Sequence, residues 1–507
     1  MEKIKLEGKR SLWKKSYFDW VKDNWSSRGN KLDFNNRKYL EQVYKDQSQE
    51  IVYKKSAQVG ITERMVSEAV WLPDQMPNNS LYLFPTSTTM SDLVQERVDM
   101  PLNNSDFLRE ISARAKKLMG KQADNVGLKR MSKGYIYFRG SNSPAMITSV
   151  SADAIFVDEL DRMTMENVPY FDKRLLNSDL KWKRWASTPT VPGYGIDKKW
   201  MESDQHIYLV KCSHCNEIQE LTFWDNVDDV NETVICKRCH NIIIPWTLSG
   251  EWVKTKESEV RGYYINQLYS PKLDLHDMIK ASIKTSDSDV QQFYNQNLGL
   301  PYEPKGAKLN NADIQSCIRD YVYPANEETE FIGIDVGKVF HVVVLGVNRF
   351  LDAQSFRTKE ELINFLSGRN FKGMVIDALP ETRVSQEVVS SFSGRAHYCF
   401  YAFSKPSTDE WWKVDEDKVG TDRTLSLDVL FNRIKTQDLE MPKNILEHTE
   451  FIAHLKSTSR IVDMEGSKPV VEYKETSADH YLHAMNYANL AKDIFEKTNS
   501  EPVIMFI

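Results

Sequence analysis

The sequence predicts an α/β protein: a mostly parallel sheet with helices, a small metal-bound insertion, and a second α/β region. Three observations predict it. Short apolar runs that end in turn or acidic residues alternate with helix-like stretches, as buried parallel strands do. Four cysteines stand as two C-x-x-C pairs. A fresh strand pattern opens at Phe331-Ile332-Gly333-Ile334, after a long polar stretch. At 507 residues the chain exceeds one ordinary core, so two or three domains are expected.

Residues 1–40 are polar and aromatic, with no strong strand signal. The first β–loop–α unit runs from Ile51-Val52-Tyr53 through Lys55–Thr62 into the helix-like Glu63–Leu72. Further strands are expected at Leu81–Phe84, stopped by Pro85, at Tyr135–Phe138, and at Ala154–Val157, which ends in Asp158 and Glu159. The paired cysteines occupy 205–250 and a polar helical stretch follows near 272–320. Strands near 340–347 and 373–376 and a helix over 480–496 complete the second α/β region. The expected domains are therefore 1–204, 205–250, a connecting segment 251–325, and 326–507.

Composition excludes some classes. Hydrophobic residues at 41% and charged residues at 27% are a soluble globular mix. No apolar run reaches eighteen residues, and Met1-Glu2-Lys3-Ile4-Lys5 lacks the apolar region of a signal peptide, so a cytoplasmic protein without a membrane span is expected. A net charge of −6 is not that of a protein that coats DNA. Local basic runs, Arg114-Ala115-Lys116-Lys117 and Lys181-Trp182-Lys183-Arg184, offer a strip for transient contact or simply solvated helix faces.

Lys55-Ser56-Ala57-Gln58-Val59-Gly60-Ile61-Thr62 has the parts of a phosphate loop in an altered order. Such a loop needs a lysine for the β/γ oxygens, backbone N–H groups around the phosphates and a hydroxyl on Mg²⁺. Thr62 supplies the hydroxyl and Gly60 the close backbone approach. Ile61 stands where the lysine usually precedes the hydroxyl, so Lys55 must enter from the strand side. Asp158 and Glu159 after an apolar strand fit a magnesium-holding aspartate and a glutamate that polarises water. Ser187 and Thr188, in Ala186-Ser187-Thr188-Pro189-Thr190, are placed to sense a γ-phosphate.

Cys212 and Cys215, then Cys236 and Cys239, have the spacing of a closed tetrahedral Zn²⁺ site. Lys211, Lys237, Arg238 and His240 beside them permit DNA contact, although a structural staple is the simpler reading. Cys317 and Cys399 read as small core residues.

Asp335 ends the strand Phe331–Ile334, Asp377 ends Met374-Val375-Ile376, and Asp479 opens the helix with His480. Two Mg²⁺ or Mn²⁺ ions require carboxylates converging from several elements. Singly, these aspartates fit a strand end, a loop start and a helix N-cap, and His480 either assists them or is a surface histidine beside that cap, the simpler reading. Together their placement resembles an RNase H-like fold.

The segments KKSAQVGIT, GSNSPA (140–145), VDELDR (157–162) and STPT, with DVG, VIDA and ADHYLHAMNYA further on, resemble the lambda-type (gpA-like) large terminase of tailed phages. The resemblance spans about 30–495 and is weakest over 255–325. It implies a P-loop ATPase domain, a zinc-ribbon-like insertion and an RNase H-like nuclease domain. Lys55, Ser56, Gly60 and Thr62 would bind ATP and Mg²⁺ with Asp158. Glu159 would be catalytic, Ser187 and Thr188 the coupling motif, and Asp335, Asp377 and Asp479 the nuclease ligands for Mg²⁺ or Mn²⁺. The resemblance also implies an arginine finger, with Arg130 and Arg139 as candidates. It implies double-stranded DNA, a small terminase subunit, the portal protein and other copies in a ring as partners. The expected place is the host cytoplasm and not the mature virion. A helicase–nuclease of DNA repair or host defence, and a non-enzymatic zinc module, are the other readings. The apolar tail 502–507 would dock on the protein itself or on a partner.

Overall fold

The apolar tetrads become the central strands of an eleven-stranded sheet in the first of two compact units, Met1–Glu303 and Pro304–Ile507. The computed structural model describes residues 15–27, 30–111, 124–304, 306–401, 411–465 and 468–498. The tail 502–507 and the basic run from Arg114 to Lys117 lie outside the described residues.

In the first unit six parallel strands lie side by side in the order Arg261–Ile265, Glu50–Lys55, Trp182–Ser187, Ala154–Asp158, Ser80–Phe84, Tyr135–Gly140. His206–Lys211 adds a seventh parallel strand beside Arg261–Ile265, and antiparallel strands complete the edges: Leu128–Arg130 on one, and Ile218–Glu220 and Gly250–Lys254, both paired to His206–Lys211, on the other. Parallel strands buried on both faces need continuous apolar side chains, which the 51–53, 81–84 and 154–157 runs supply. The helix Ile61–Gln75 follows the phosphate-loop strand and is buried nearly throughout. The aromatic N-terminal segment covers it: Trp25 donates to Glu63, Trp20 to Asp74, and the Tyr17 hydroxyl to the Arg64 carbonyl.

The run Lys181–Arg184 is neither a basic strip nor a solvated helix face. Most of it lies in the strand Trp182–Ser187. Arg184 is fully buried against Glu68, and Lys183 pairs with Glu50 and Asp172.

In the second unit the sheet order is Phe350–Phe356, Phe340–Leu345, Glu330–Val336, Phe371–Asp377, Ala396–Phe400, Lys418–Thr421, Trp412–Asp415. The first three strands form an antiparallel meander; Phe371–Asp377, Ala396–Phe400 and Lys418–Thr421 run parallel to Glu330–Val336. This is the RNase H-like arrangement. The helix His480–Thr498 lies across Glu330–Val336. Gly333 allows it, because a Cβ there would sit 1.9 Å from the Ala484 carbonyl oxygen. Cys317 and Cys399 are buried in the second unit's cores, as expected of small apolar residues.

Candidate functional site

The structure separates the two lysines at the end of Glu50–Lys55. Successive strand residues face opposite sides. Lys54 is spent in a buried pair with Asp197 at 2.7 Å. Lys55 faces the acidic pair, its Nζ 3.4 Å from Glu159 Oε1. The loop between strand and helix is wrapped by two left-handed residues, Gln58 (φ 59°) and Gly60 (φ 89°).

Asp158 ends its strand in full burial. It accepts from the Tyr82 hydroxyl at 3.0 Å, and its Oδ1 has no partner. Burial pushes its carboxyl up; Lys55 pulls down and Glu159 pushes up, and the net shift is upward. Burial also acts to raise Glu159, but Lys55 and Arg162 outweigh it and hold that carboxyl below its ordinary range. Glu159 adopts φ 60°, a left-handed conformation that costs a non-glycine residue on the order of 1 kcal/mol or more. Such strain persists only where the surroundings over-determine it.

Ser187 ends, and Thr188 directly follows, the strand that lies between those of Lys55 and Asp158. Ser187 Oγ donates to the Thr188 carbonyl at 2.8 Å and accepts from the Asp161 N–H at 3.2 Å. The Asp161 carboxylate accepts from Thr190 N–H and hydroxyl and from Ile196 N–H, which ties the acidic loop to the serine–threonine loop. Sequence reasoning gave no role to Asp161, Lys54, Asp197 or Asn295. Asn295 donates to the carbonyls of Thr190 and Leu300, while Gln296 accepts from Ala57 N–H. Only Asp161 had a signal, as part of VDELDR.

The fit to magnesium nucleotide rests on polar atoms left over inside this pocket. Ser56 Oγ and Asp158 Oδ1 are buried without partners, beside a lysine with carboxylates around it. A buried oxygen without a partner is costly unless a ligand or ion satisfies it. Arg130 donates to the Tyr135 hydroxyl and Arg139 to the carbonyls of Gly127 and Phe138, all near one edge of the sheet.

The four cysteines converge from two matching turns. Cys212 O accepts from Asn216 N–H and Cys236 O from His240 N–H, with Asn216 and His240 both left-handed. The four Sγ atoms lie within 4.8 Å of one another; Cys212 and Cys239 are 3.9 Å apart, Cys215 and Cys236 3.7 Å. Tetrahedral Zn–S bonds of ~2.3 Å place sulfurs about 3.8 Å apart. Gln219, Asn241 and the His214 N–H donate to the sulfurs, as thiolates require. The first turn joins His206–Lys211 to Ile218–Glu220 of the first unit's sheet, and the second follows Thr233–Val234 of a separate two-stranded pair with Val227–Asp228.

Asp335 and Asp377 are brought together. Their strands are adjacent and parallel, with Ile334 paired to Ile376. Burial pushes Asp377 up to about 7, against a downward pull from the Leu379 N–H, and the Asp335 charge adds to the rise. Two carboxylates that repel each other, one buried and one half-buried, suit a divalent cation. Asp479 sits at the same helix start as His480, but its carboxylate meets His483 at 3.0 Å, Thr458 at 3.5 Å and Arg423 at 3.9 Å. Besides the cysteine quartet, the ligand groups formed among the described residues are Asp335/His341/His480 and Glu475/Asp479/His483, so the three aspartates are not one such group. His480 Nδ1 contacts Asp335 Oδ2 at 2.9 Å. The sequence reading gave His480 a minor part and passed over His341 and His483, because histidine spacing across three elements is invisible in one dimension.

Residues 36–247 match the family described as phage terminase large subunit gpA, ATPase domain. Residues 260–355 match that described as terminase large subunit gpA, endonuclease domain. The second match begins within the first compact unit and stops before Asp377 and Asp479. The crystal structure of the HK97 bacteriophage large terminase is similar over 94% of this chain and 99% of that one, at 9% identity and a TM-score of 0.55. At that identity it speaks for the fold. The large terminase of a thermophilic bacteriophage aligns over 88% and 94% of the two chains at 11% identity, with a TM-score of 0.30. The ATPase domain of the Thermus phage P74-26 large terminase aligns over 54% and 95%, at 11% identity and a TM-score of 0.32. No curated protein matches the sequence.

Proposed function

The chain has the domain architecture of a phage large terminase, a gpA-like ATPase followed by a gpA-like nuclease, and from this we propose that it packages double-stranded viral DNA. ATP hydrolysis at Lys55, Ser56, Gly60, Thr62, Asp158 and Glu159 would drive translocation into a procapsid. A second site at Asp335 and Asp377 would cut concatemeric DNA. Asp479 enters as the third carboxylate, with Arg423 as its present counter-ion.

The observation that carries the motor reading is Lys55 Nζ facing Glu159 at 3.4 Å beside the unpaired buried oxygen of Asp158. Bound magnesium–ATP supplies the labile γ-phosphoryl group. Lys55 would neutralise phosphate oxygens, Thr62 and Asp158 would hold the metal, and Glu159 would orient the attacking water. Ser187 and Thr188 would relay the state of the nucleotide through Asp161. Glu159→Ala should abolish DNA-stimulated ATP hydrolysis in the purified chain; turnover at the parent rate would overturn the site assignment.

Within this reading, the proposed bounds are 1–204 for the ATPase domain, 205–250 for a zinc-ribbon-like insertion, 251–325 for a connection and 326–507 for the nuclease domain, although the connection lends its strand Arg261–Ile265 to the first unit's sheet and that unit runs to Glu303. The partners would be DNA, a small terminase subunit, the portal protein and further copies in a ring, met in the cytoplasm of the infected host. No described helix is long and apolar enough to cross a membrane.

A further inference from the structure

The elements of the candidate nucleotide site share a buried cluster of charge that the hydrolysis described above does not use. Arg64 and Glu68 come from the helix Ile61–Gln75 and Arg184 from the strand Trp182–Ser187; all three are fully buried. Both arginines grip the Glu68 carboxylate with two N–H groups. Arg64 uses Nη1 and Nη2, the latter at 3.2 Å, and Arg184 uses Nε at 2.8 Å and Nη2 at 3.1 Å. Two guanidinium groups thus share one carboxylate. They also donate to main-chain carbonyls: Arg64 to that of Asp46 at 3.1 Å, Arg184 to those of Ser48 at 2.9 Å and Gln49 at 3.2 Å. Aromatic faces take up the rest of their charge, Tyr17 and Tyr53 beside Arg64 and Trp182 beside Arg184.

Such a cluster is a poor source of stability. Desolvating three ions offsets most of what their attraction returns, and apolar side chains of similar volume often do as well or better. What paired guanidiniums add is direction, because a fork of two N–H bonds fixes both distance and angle. The three segments fixed here each carry a group of the site. The helix starts with Thr62, about 9 Å along its axis before Glu68. The strand of Arg184 ends at Ser187, about 10 Å further on. The carbonyls of Asp46, Ser48 and Gln49 lead into the strand Glu50–Lys55, which ends in the lysine that faces Glu159.

We propose that Arg64, Glu68 and Arg184 are positioning residues for ATP hydrolysis, holding Thr62, Lys55 and Ser187 in one alignment. The proposal rests on the reading of this pocket as the hydrolytic site, and adds residues that act only through the groups at its rim. Nucleotide binding through main-chain N–H groups tolerates a small misalignment. The transition state does not: a shift of about 1 Å can cost on the order of a hundredfold in rate. Damage to the cluster therefore belongs in kcat and not in KM.

The test uses the full chain with duplex DNA, measuring steady-state ATP hydrolysis and, by equilibrium dialysis, the nonhydrolysable ATP analogue bound per chain. Arg184→Lys keeps the charge and loses the fork. The triple variant Arg64→Met, Glu68→Leu, Arg184→Met removes the charges at similar volume. Both should bind as much analogue per chain as the parent, with KM for ATP within about twofold and kcat lower by at least about tenfold. In a Ser187→Ala background, Arg184→Lys should cost less than about twofold more, because both changes act on one alignment. Should the triple variant not fold, Arg184→Lys and its pairing with Ser187→Ala decide. Parental kcat in the folded variants would overturn the proposal. So would a loss of kcat matched by a loss of bound analogue, or losses that multiply with Ser187→Ala. Normal turnover in the cluster variants with a dead Glu159→Ala removes this inference and keeps the hydrolytic site. Turnover that survives Glu159→Ala removes the site reading itself, whatever the cluster variants do.

Discussion

Adjacent lysines illustrate how much a single position decides. Lys54 and Lys55 are chemically identical, yet the pleat sends one to Asp197 and the other to Glu159. Their substitutions should therefore fail differently. Lys55→Ala is expected to lose ATP turnover with little change in melting. Lys54→Ala leaves Asp197 buried without its partner and should cost roughly 3–5 kcal/mol, read by chemical denaturation. Equal melting of the two variants would contradict the assignment. Asp377 offers a test in pH. Its carboxyl sits at about 7 in the fold, against roughly 3.9 in an unfolded chain. The folded state thus holds a proton that the unfolded state has lost, so the stability linked to this group is present below about pH 4 and fades as pH rises to about 7. Asp377→Asn should melt above the parent in metal-free protein at pH 8, with the gap closing toward pH 4. A gap that is constant with pH would assign it to packing alone.

At the scale of elements, the cysteine turns and the glycine-seated helix do comparable work by different means. The turns are too short to bury a core, so their geometry depends on what the sulfurs hold. Purified protein should carry about one Zn²⁺ per chain, and Cys236→Ser should lose it, with increased proteolysis across 212–240 and the nucleotide site intact. Metal-free parent protein with four reactive thiols would refute the zinc assignment. The helix His480–Thr498 depends instead on close backbone approach at Gly333. That contact brings His480 to Asp335, so packing and site geometry are set by the same missing side chain.

For the whole molecule, each unit has its own hydrophobic clusters, and among the described residues no cluster draws buried residues from both. Chemistry in one unit should then survive a lesion in the other. Lys55→Ala should leave Mn²⁺-dependent plasmid cleavage intact, and Asp377→Ala should leave ATPase turnover intact. Loss of both activities in either variant would mean that the two sites are obligately coupled. The net charge of −6 fits a protein that grips DNA locally, and the burial of Arg184 removes one candidate strip from that surface.

Local order in the sequence was enough for several of these features. Apolar runs of four residues marked the strands, an acidic pair after one of them marked the candidate hydrolytic site, and the C-x-x-C spacing brought together sulfurs that do converge. These are properties of near neighbours, in which a residue's surroundings are set by the few positions around it. Tertiary structure alone decided which lysine faces Glu159, that Asp161 and Asn295 tie together loops far apart in the chain, and that Asp335 meets His341 and His480 while Asp479 meets Arg423. Those partners come from different strands and helices, and strand order and helix seating are collective outcomes of core packing that no local spacing encodes.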